Sequence, residues 1–458
     1  MIRRRDKTIR SVGTSVNNTT FSRRLGRLVP LLVLASALLT LTPANAAASD
    51  NAPTYTVLYS FTGGVDGGVP AAGLIRDEAG NLYGTTSAGG SSGAGVVFKL
   101  DPSGKETVLY SFTGGADGGI PVGSLIRDQV GNLYGTTVGG GNFTSPMCAG
   151  FGCGVIFKLD PSGNETVLHA FTNGADGGSP MAALIRDEAG NVYGTASTGG
   201  NGSSSCPFGC GLVFKLDSSG NETVLYTFSG SADGASPDAS LLRDGSGNFY
   251  SSAQFGGNFT SPVCAGFACG VIFKLDLSGK ETVLHTFNGT DGASPYDGLT
   301  RDAAGNLYGT TGYGDNTSAS CPNGSSGCGV VFKLNPRSRQ YMVLYAFTGE
   351  ADGYQLFGGL TRAGGDEGFD ADQTLYGTTF LGGNFSGPCG AFGCGVIFRV
   401  DRRGKHTVLH TFGGTDGAGP GFEVLLRHHG SLYGTTGAGG AFGAGVVFKL
   451  TLNEEGAD

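Results

Sequence analysis

Apolar and β-branched residues come in short runs down this chain, never at the spacing of a helix face, and the same four runs return in the same order. In their commonest form they read VLYSF, LIRD, NLYGTT and GVVFKL. Each is closed off by Gly, Pro, Asp or Asn, the residues that turn a chain, so each is expected to form a β-strand. The whole unit reads TVLYSFTGGADGGxPxxxLIRDxxGNLYGTTxxGG, then a variable loop, then GVVFKLDPSGKE. It occurs seven times, starting at Thr56, Thr107, Thr166, Thr223, Thr282, Tyr341 and Thr407. Four strands taken seven times predict an all-β fold: a seven-bladed β-propeller with four antiparallel strands per blade.

The chain ends predict how such a ring closes. If LIRD opens each blade at its centre, six blades are complete along the chain. The seventh holds Val424 to Arg427, Ser431 to Thr436 and Val446 to Leu450, and lacks an outer strand. A lone TYTVLYSF from Thr54 to Phe61 is left over. Val57 to Phe61 is therefore expected to pair antiparallel with Val446 to Leu450, leaving no blade edge open.

Recurrence within the chain separates scaffold from specialisation. The aromatic series Tyr83 to Tyr433, Phe98 to Phe448 and Phe61 to Phe412 appear in every copy. Packing between blades needs them seven times, and a ligand site does not, so they are assigned to the core. The arginines from Arg76 to Arg427 are expected to bond between blades or brace turns rather than form a cationic ring. Asp-Gly recurs before the proline position at Asp66, Asp117, Asp176, Asp233, Asp291, Asp352 and Asp416, and reads as a turn. One carboxylate among glycines falls short of the six to eight oxygens calcium takes. The acidic stretch Asp366 to Asp372 reads as a solvated insertion. No metal site and no cofactor are expected.

The first 46 residues have the parts of a secretory signal: a basic leader through Arg27, an apolar run from Leu28 to Leu41, and Ala44-Asn45-Ala46. Cleavage after Ala46 is expected, leaving a short segment 47–53, the repeats over 54–452 and a tail over 453–458. The apolar run is short for a membrane span, and no second one follows. Net charge is −8 with the acids and bases interspersed, which offers no basic stripe for nucleic acid. Tryptophan is absent, which disfavours the propeller families whose repeat signatures carry it.

The tandem unit GLIRDxxGNLYGTTxxGG…GVVFKLDxxGxxTVLYSF resembles the repeat of the choice-of-anchor GloVer tandem-repeat proteins of bacteria, over nearly all of the chain after residue 46. The resemblance implies an extracytoplasmic, propeller-like body and carries no activity. Members of that family often end in an anchoring segment. None is read in Leu452 to Asp458, which leaves surface anchoring open; a secreted or periplasmic location is expected, and a monomer.

All ten cysteines fall in the variable loop, in repeats two to six: Cys148 with Cys153, Cys206 with Cys210, Cys264 with Cys269, Cys321 with Cys328, and Cys389 with Cys394. Even number, tight spacing and an export signal favour local disulfides; zinc would need four ligands, and each cluster offers two. The loops alternate in sequence. Repeats two, four and six carry GNFTSPMCAGFGCG, GNFTSPVCAGFACG and GNFSGPCGAFGCG, a difference that blade packing does not require. Asn142, Phe143, Asn258, Phe259, Asn384 and Phe385 are therefore candidate ligand-binding residues, the aromatics stacking on sugar or gripping peptide. The bland reading is that the phenylalanines fold under their own loops. The six histidines assemble into no triad, and no catalytic residue is assigned. The function expected is a non-catalytic module that binds a glycan, peptide or surface partner, with a propeller-type glycan hydrolase or lyase as the alternative.

Overall fold

The computed structural model describes residues 52–453, less 201, 203–205, 262–263, 265–267, 315–320, 322–326, 363–373 and 422–424. The leader, the acidic stretch Asp366 to Asp372 and tail residues 454–458 lie outside the described residues. Blade one consists of Ile75–Arg76, Leu82–Thr86, Val96–Leu100 and Glu106–Ser111, paired antiparallel from the first strand to the fourth. Five more four-stranded sheets follow in the same order, the last being Thr361–Arg362, Leu375–Thr379, Val396–Val400 and His406–Thr411.

Blade seven is built from both ends of the chain. Leu426–His428, Ser431–Ala438 and Val446–Thr451 are joined by Thr54–Ser60, which lies antiparallel along the third of them. Thr54 faces Thr451, Val57 faces Phe448 and Ser60 faces Val446, so the expected clasp is present. One strand was not anticipated: Ala418–Pro420 pairs with Ser431–Ala438. In the other blades this position makes a single bridge, such as Gly68 with Ala88. The second strand of blade seven is eight residues long against five in blade one, and the extra length finds the extra partner.

The core lies between blades. Val96, Phe98 and Leu100 point to one side of blade one and pack with Phe61, Leu74 and Val447. Val97 points to the other side and packs with Phe112, Leu125 and Leu133. Successive strand residues face opposite ways, so a strand covered on both sides must be apolar almost throughout, which is why GVVFKL shows no alternation. Phe61 lies on Phe98 and Phe112 on Phe157, each pair with ring centroids 5.1 Å apart and all four rings fully buried. Burying one such ring contributes about 2–3 kcal/mol. The glycine of LYGTT follows from the same packing: a Cβ on Gly135 would stand 2.6 Å from the Phe157 ring.

Polar contacts also run from blade to blade. The second-strand hydroxyls of Thr136 and Thr310 donate to the carbonyls of Ala182 and Gly358, and Thr435 donates to Ala72 across the closure at 2.9 Å. Arg186, Arg243 and Arg301 lie over Tyr134, Tyr193 and Tyr250 of the preceding blades at 5.7 to 6.0 Å. These arginines are inter-blade contacts, as expected.

Candidate ligand-binding face

The turns between first and second strands lie on one face of the ring, and those of blades one to five are of one kind, while blade seven turns through His429 and Gly430 instead. Asp302 accepts the amide of Asn306 at 2.8 Å, its side-chain amide at 2.7 Å and the Tyr308 hydroxyl at 2.9 Å. Burial pushes this carboxyl up, but the bonds from Asn306 and Tyr308 outweigh burial and hold it below the usual aspartate range. Asp77, Asp187 and Asp244 make the same three bonds in their own repeats.

The cysteine loops and the Asp-Gly connections between blades share the opposite face. The Asp-Gly carboxylates do turn chemistry: Asp66 accepts the amide of Thr62 at 2.8 Å, the Tyr59 hydroxyl at 3.0 Å and the Thr62 hydroxyl. Histidine replaces that tyrosine in three repeats: the bond survives at His285, Nε2 3.0 Å from Asp291, and at His410, Nε2 2.9 Å from Asp416, and loosens at His169, 3.4 Å from Asp176. These His–Asp pairs are structural equivalents of Tyr–Asp pairs. Just past each Asp-Gly turn one residue is left-handed: Val69, Ile120, Ser179, Ser236, Ser294 and Gln355 have φ between 50° and 58°. A side chain disfavours that region, most of all when branched or before proline, as in five of these six.

The strained residue is held by the blade before it. The amides of Ser179, Ser236, Ser294 and Gln355 donate to the carbonyls of Cys153, Cys210, Cys269 and Cys328. Ala94 and Ala444 do the same for Ile120 and Val69 in the blades that lack cysteines. The five disulfides close within their own loops, with Cα–Cα distances of 5.1 to 5.6 Å. Each thus constrains a loop and also a carbonyl on which the next blade's turn depends, Cys394 accepting the amide of the left-handed Gly419 in the fifth case. Nothing in the cysteine spacing announced this second task.

The candidate asparagines serve their loops. Asn142, Asn258 and Asn384 each accept, through Oδ1, the amide and hydroxyl of the residue two further on, at 2.7 to 3.0 Å. The candidate phenylalanines are exposed rather than folded under: Phe143, Phe259 and Phe385 show 42%, 48% and 39% of their surface. Phe151 and Phe392 on two of the same loops, and Phe208 on the blade-three loop, are more exposed still. Phe208 of blade three and Phe259 of blade four border a cleft of about 180 Å³, floored by Phe255, Ala235 and Gly256 and edged by Thr198 and Ser236. The structure does not gather all six candidates into one pocket; they are spread over alternate blades.

The Gloeobacter/Verrucomicrobia repeat matches residues 46–208 and 149–368. The chain belongs to that family. No curated protein matches it. Among solved structures, the extracellular domain assigned to the one component system BT4673 from B. thetaiotaomicron is similar at 14% identity and TM-score 0.49, over 88% of this chain and 42% of that one. An oligogalacturonate lyase in complex with manganese is similar at 11% identity and TM-score 0.48, over 88% and 94%. The gluconolactonase XC5397 from Xanthomonas campestris follows at 14% and 0.38, over 87% and 89%. These likenesses assign no activity to the GloVer chain, which spans about two fifths of the length of the BT4673 chain.

Sequence reasoning passed over a group of residues just before the first strands of GloVer blades four to six. Asp238, Tyr296 and Phe357 stand where blades one to three have Ala71, Val122 and Met181. Beside Tyr296, Asp297 is buried, and its carboxylate accepts the amides of Gly298 and, in the next blade, Gly359. Burial raises the Asp297 carboxyl to about 7 against the pull of those two amides. Comparing the repeats column by column, instead of by their shared consensus, is the signal that finds these residues.

Proposed function

We propose that this protein is an exported, non-catalytic propeller whose cysteine-loop face binds a glycan or a protein outside the cytoplasm, after cleavage of residues 1–46. The observation that carries the reading is the set of exposed phenylalanines on loops fastened by disulfides. Apolar rings held out to solvent on rigid supports lose little conformational freedom when they bind. Five disulfides fit an oxidising compartment. Among the described residues no helix is long and apolar enough to cross a membrane.

The test is a glycan array and a surface-protein panel probed with residues 47–458, followed by titration of the hits against a variant with Phe143, Phe259 and Phe385 all changed to Ala. Binding should weaken at least about tenfold. Thermal stability should stay within about 2 °C, because the deleted rings lie at the surface with 39% to 48% of their area exposed. A parent that binds nothing, with a variant that melts well below it, would return these rings to a structural role.

A further inference from the structure

Four consecutive blades converge on one side of the inner rim, on the face that carries the cysteine loops. Ser197 follows the second strand of blade three, and Asp238, Tyr296 and Phe357 precede the first strands of blades four, five and six. The Tyr296 and Phe357 rings meet at 5.2 Å with 57° between their planes, and Tyr313 and Phe380 back Phe357 at 6.4 and 5.6 Å. Tyr296 and Phe357 are only half-buried, so this angled pair keeps surface to offer. Asp297, bonded to Gly359, ties blades five and six together beneath it.

Beside the aromatic pair lie two buried polar atoms that face each other but are poorly aligned. Ser197 is 5% exposed, and its hydroxyl reaches the Asp238 carboxyl and favours its charged form against burial, but neither Ser197 Oγ nor Asp238 Oδ1 makes a well-aligned hydrogen bond. The negative charge of Asp238 reaches Tyr296, which helps to raise the phenol above its usual range after burial has done most of it. A buried polar atom whose hydrogen bond is badly aligned keeps part of the cost of about 1–3 kcal/mol that a lost bond carries, and a ligand can relieve it.

We propose that this inner rim of blades three to six binds a neutral sugar ring, with Asp238 and Ser197 engaging its hydroxyls and Tyr296 and Phe357 covering its C–H face. A hydroxyl-rich ring with one apolar side answers both halves of the cluster, since carboxylate and hydroxyl oxygens accept from it while the aromatic faces bury its carbons. The charged members of the cluster are acids alone, which disfavours an anionic sugar. A divalent cation is a poor fit, because both oxygens of Asp297 are already taken by amides and one remaining carboxylate is too few.

The test is calorimetric titration of residues 47–458 with neutral hexasaccharides of β-1,4-glucan, β-1,3-glucan and mannan, with hexagalacturonate as the anionic control. At least one neutral probe should bind, and hexagalacturonate should bind more weakly. Asp238→Asn, the isosteric change, and Tyr296→Ala should each weaken binding about tenfold. The variant lacking Phe143, Phe259 and Phe385 should keep this affinity within about twofold, which separates this site from the outer loops whatever those loops bind. No binding by any neutral probe, tighter binding of hexagalacturonate, or a loss that follows the phenylalanine variant and not Asp238→Asn would overturn the proposal. Lower melting of Asp238→Asn with unchanged sugar affinity would also overturn it, leaving Asp238 and Ser197 as a structural pair.

Discussion

The two faces of the ring are made by the same repeats and have diverged to different degrees. On one, in blades one to five, aspartates such as Asp77, Asp187, Asp244 and Asp302 bind their own Asn and Tyr in one geometry. On the other, loops change in length and sequence, carry the disulfides and hold phenylalanines out to solvent. Both faces hang from the same strands, so the difference is not imposed by packing. A turn that only reverses the chain is free to stay the same in every copy; loops that vary have some other requirement to meet.

The most severe way to break the comparison is to remove what both faces stand on. Deleting residues 47–61 takes away the outer strand of blade seven and the buried Phe61, and should cost more than about 5 kcal/mol or abolish cooperative unfolding, as read by calorimetry. Retention of the parental transition would mean that the ring does not depend on its clasp. A smaller loss should follow Asp302→Ala on the uniform face: about 3 kcal/mol in chemical denaturation, for three bonds to a buried carboxylate, with ligand binding unchanged. An effect on binding equal to that of the phenylalanine changes would dissolve the distinction between the faces.

The smallest effect concerns acidity at the edge of the variable face. Glu106, Glu165 and Glu281 are pushed up to about 7, first by burial and then by the charges of Asp66, Asp117 and Asp233. A carboxyl whose folded value is raised stabilises fully below its unfolded value near 4.5, and the contribution is lost as pH rises through about 7. Asp302 behaves oppositely: its value is lowered, and its contribution is lost only as pH falls below the ordinary aspartate range. Unfolding free energy should therefore peak in mild acid and fall toward pH 8, by about 1 kcal/mol per glutamate once solvent screening is allowed for. Changing the three glutamates to Gln should flatten that decline; an unchanged profile would show that they titrate normally.

Much of the fold was legible because the chain states it seven times. GVVFKL could be read as a strand covered on both sides, and the orphan at Thr54 could be matched to the incomplete blade, because every copy must satisfy the same packing. Exposure of Phe143 was not legible: a phenylalanine in a loop reads the same whether it faces water or its own backbone. Neither were the left-handed residues, since Val69 and Ile120 are among the last side chains expected there, and only the partner carbonyls of Ala444 and Ala94 account for them. Asp238 and Tyr296 escaped because attention to what recurs hides what occurs once.

The shared seventh blade also sets the order of events as the protein is made. Tyr55 donates to the Asp416 carbonyl, and the Asn453 side chain to Ala52, across separations of 361 and 401 residues. The first strand to leave the ribosome thus has no partner until nearly the last strand is synthesised, and until then it keeps an open edge available to wrong neighbours. If the chain is exported as proposed, crossing the membrane unfolded lets the ring close only afterwards, when both ends are present together.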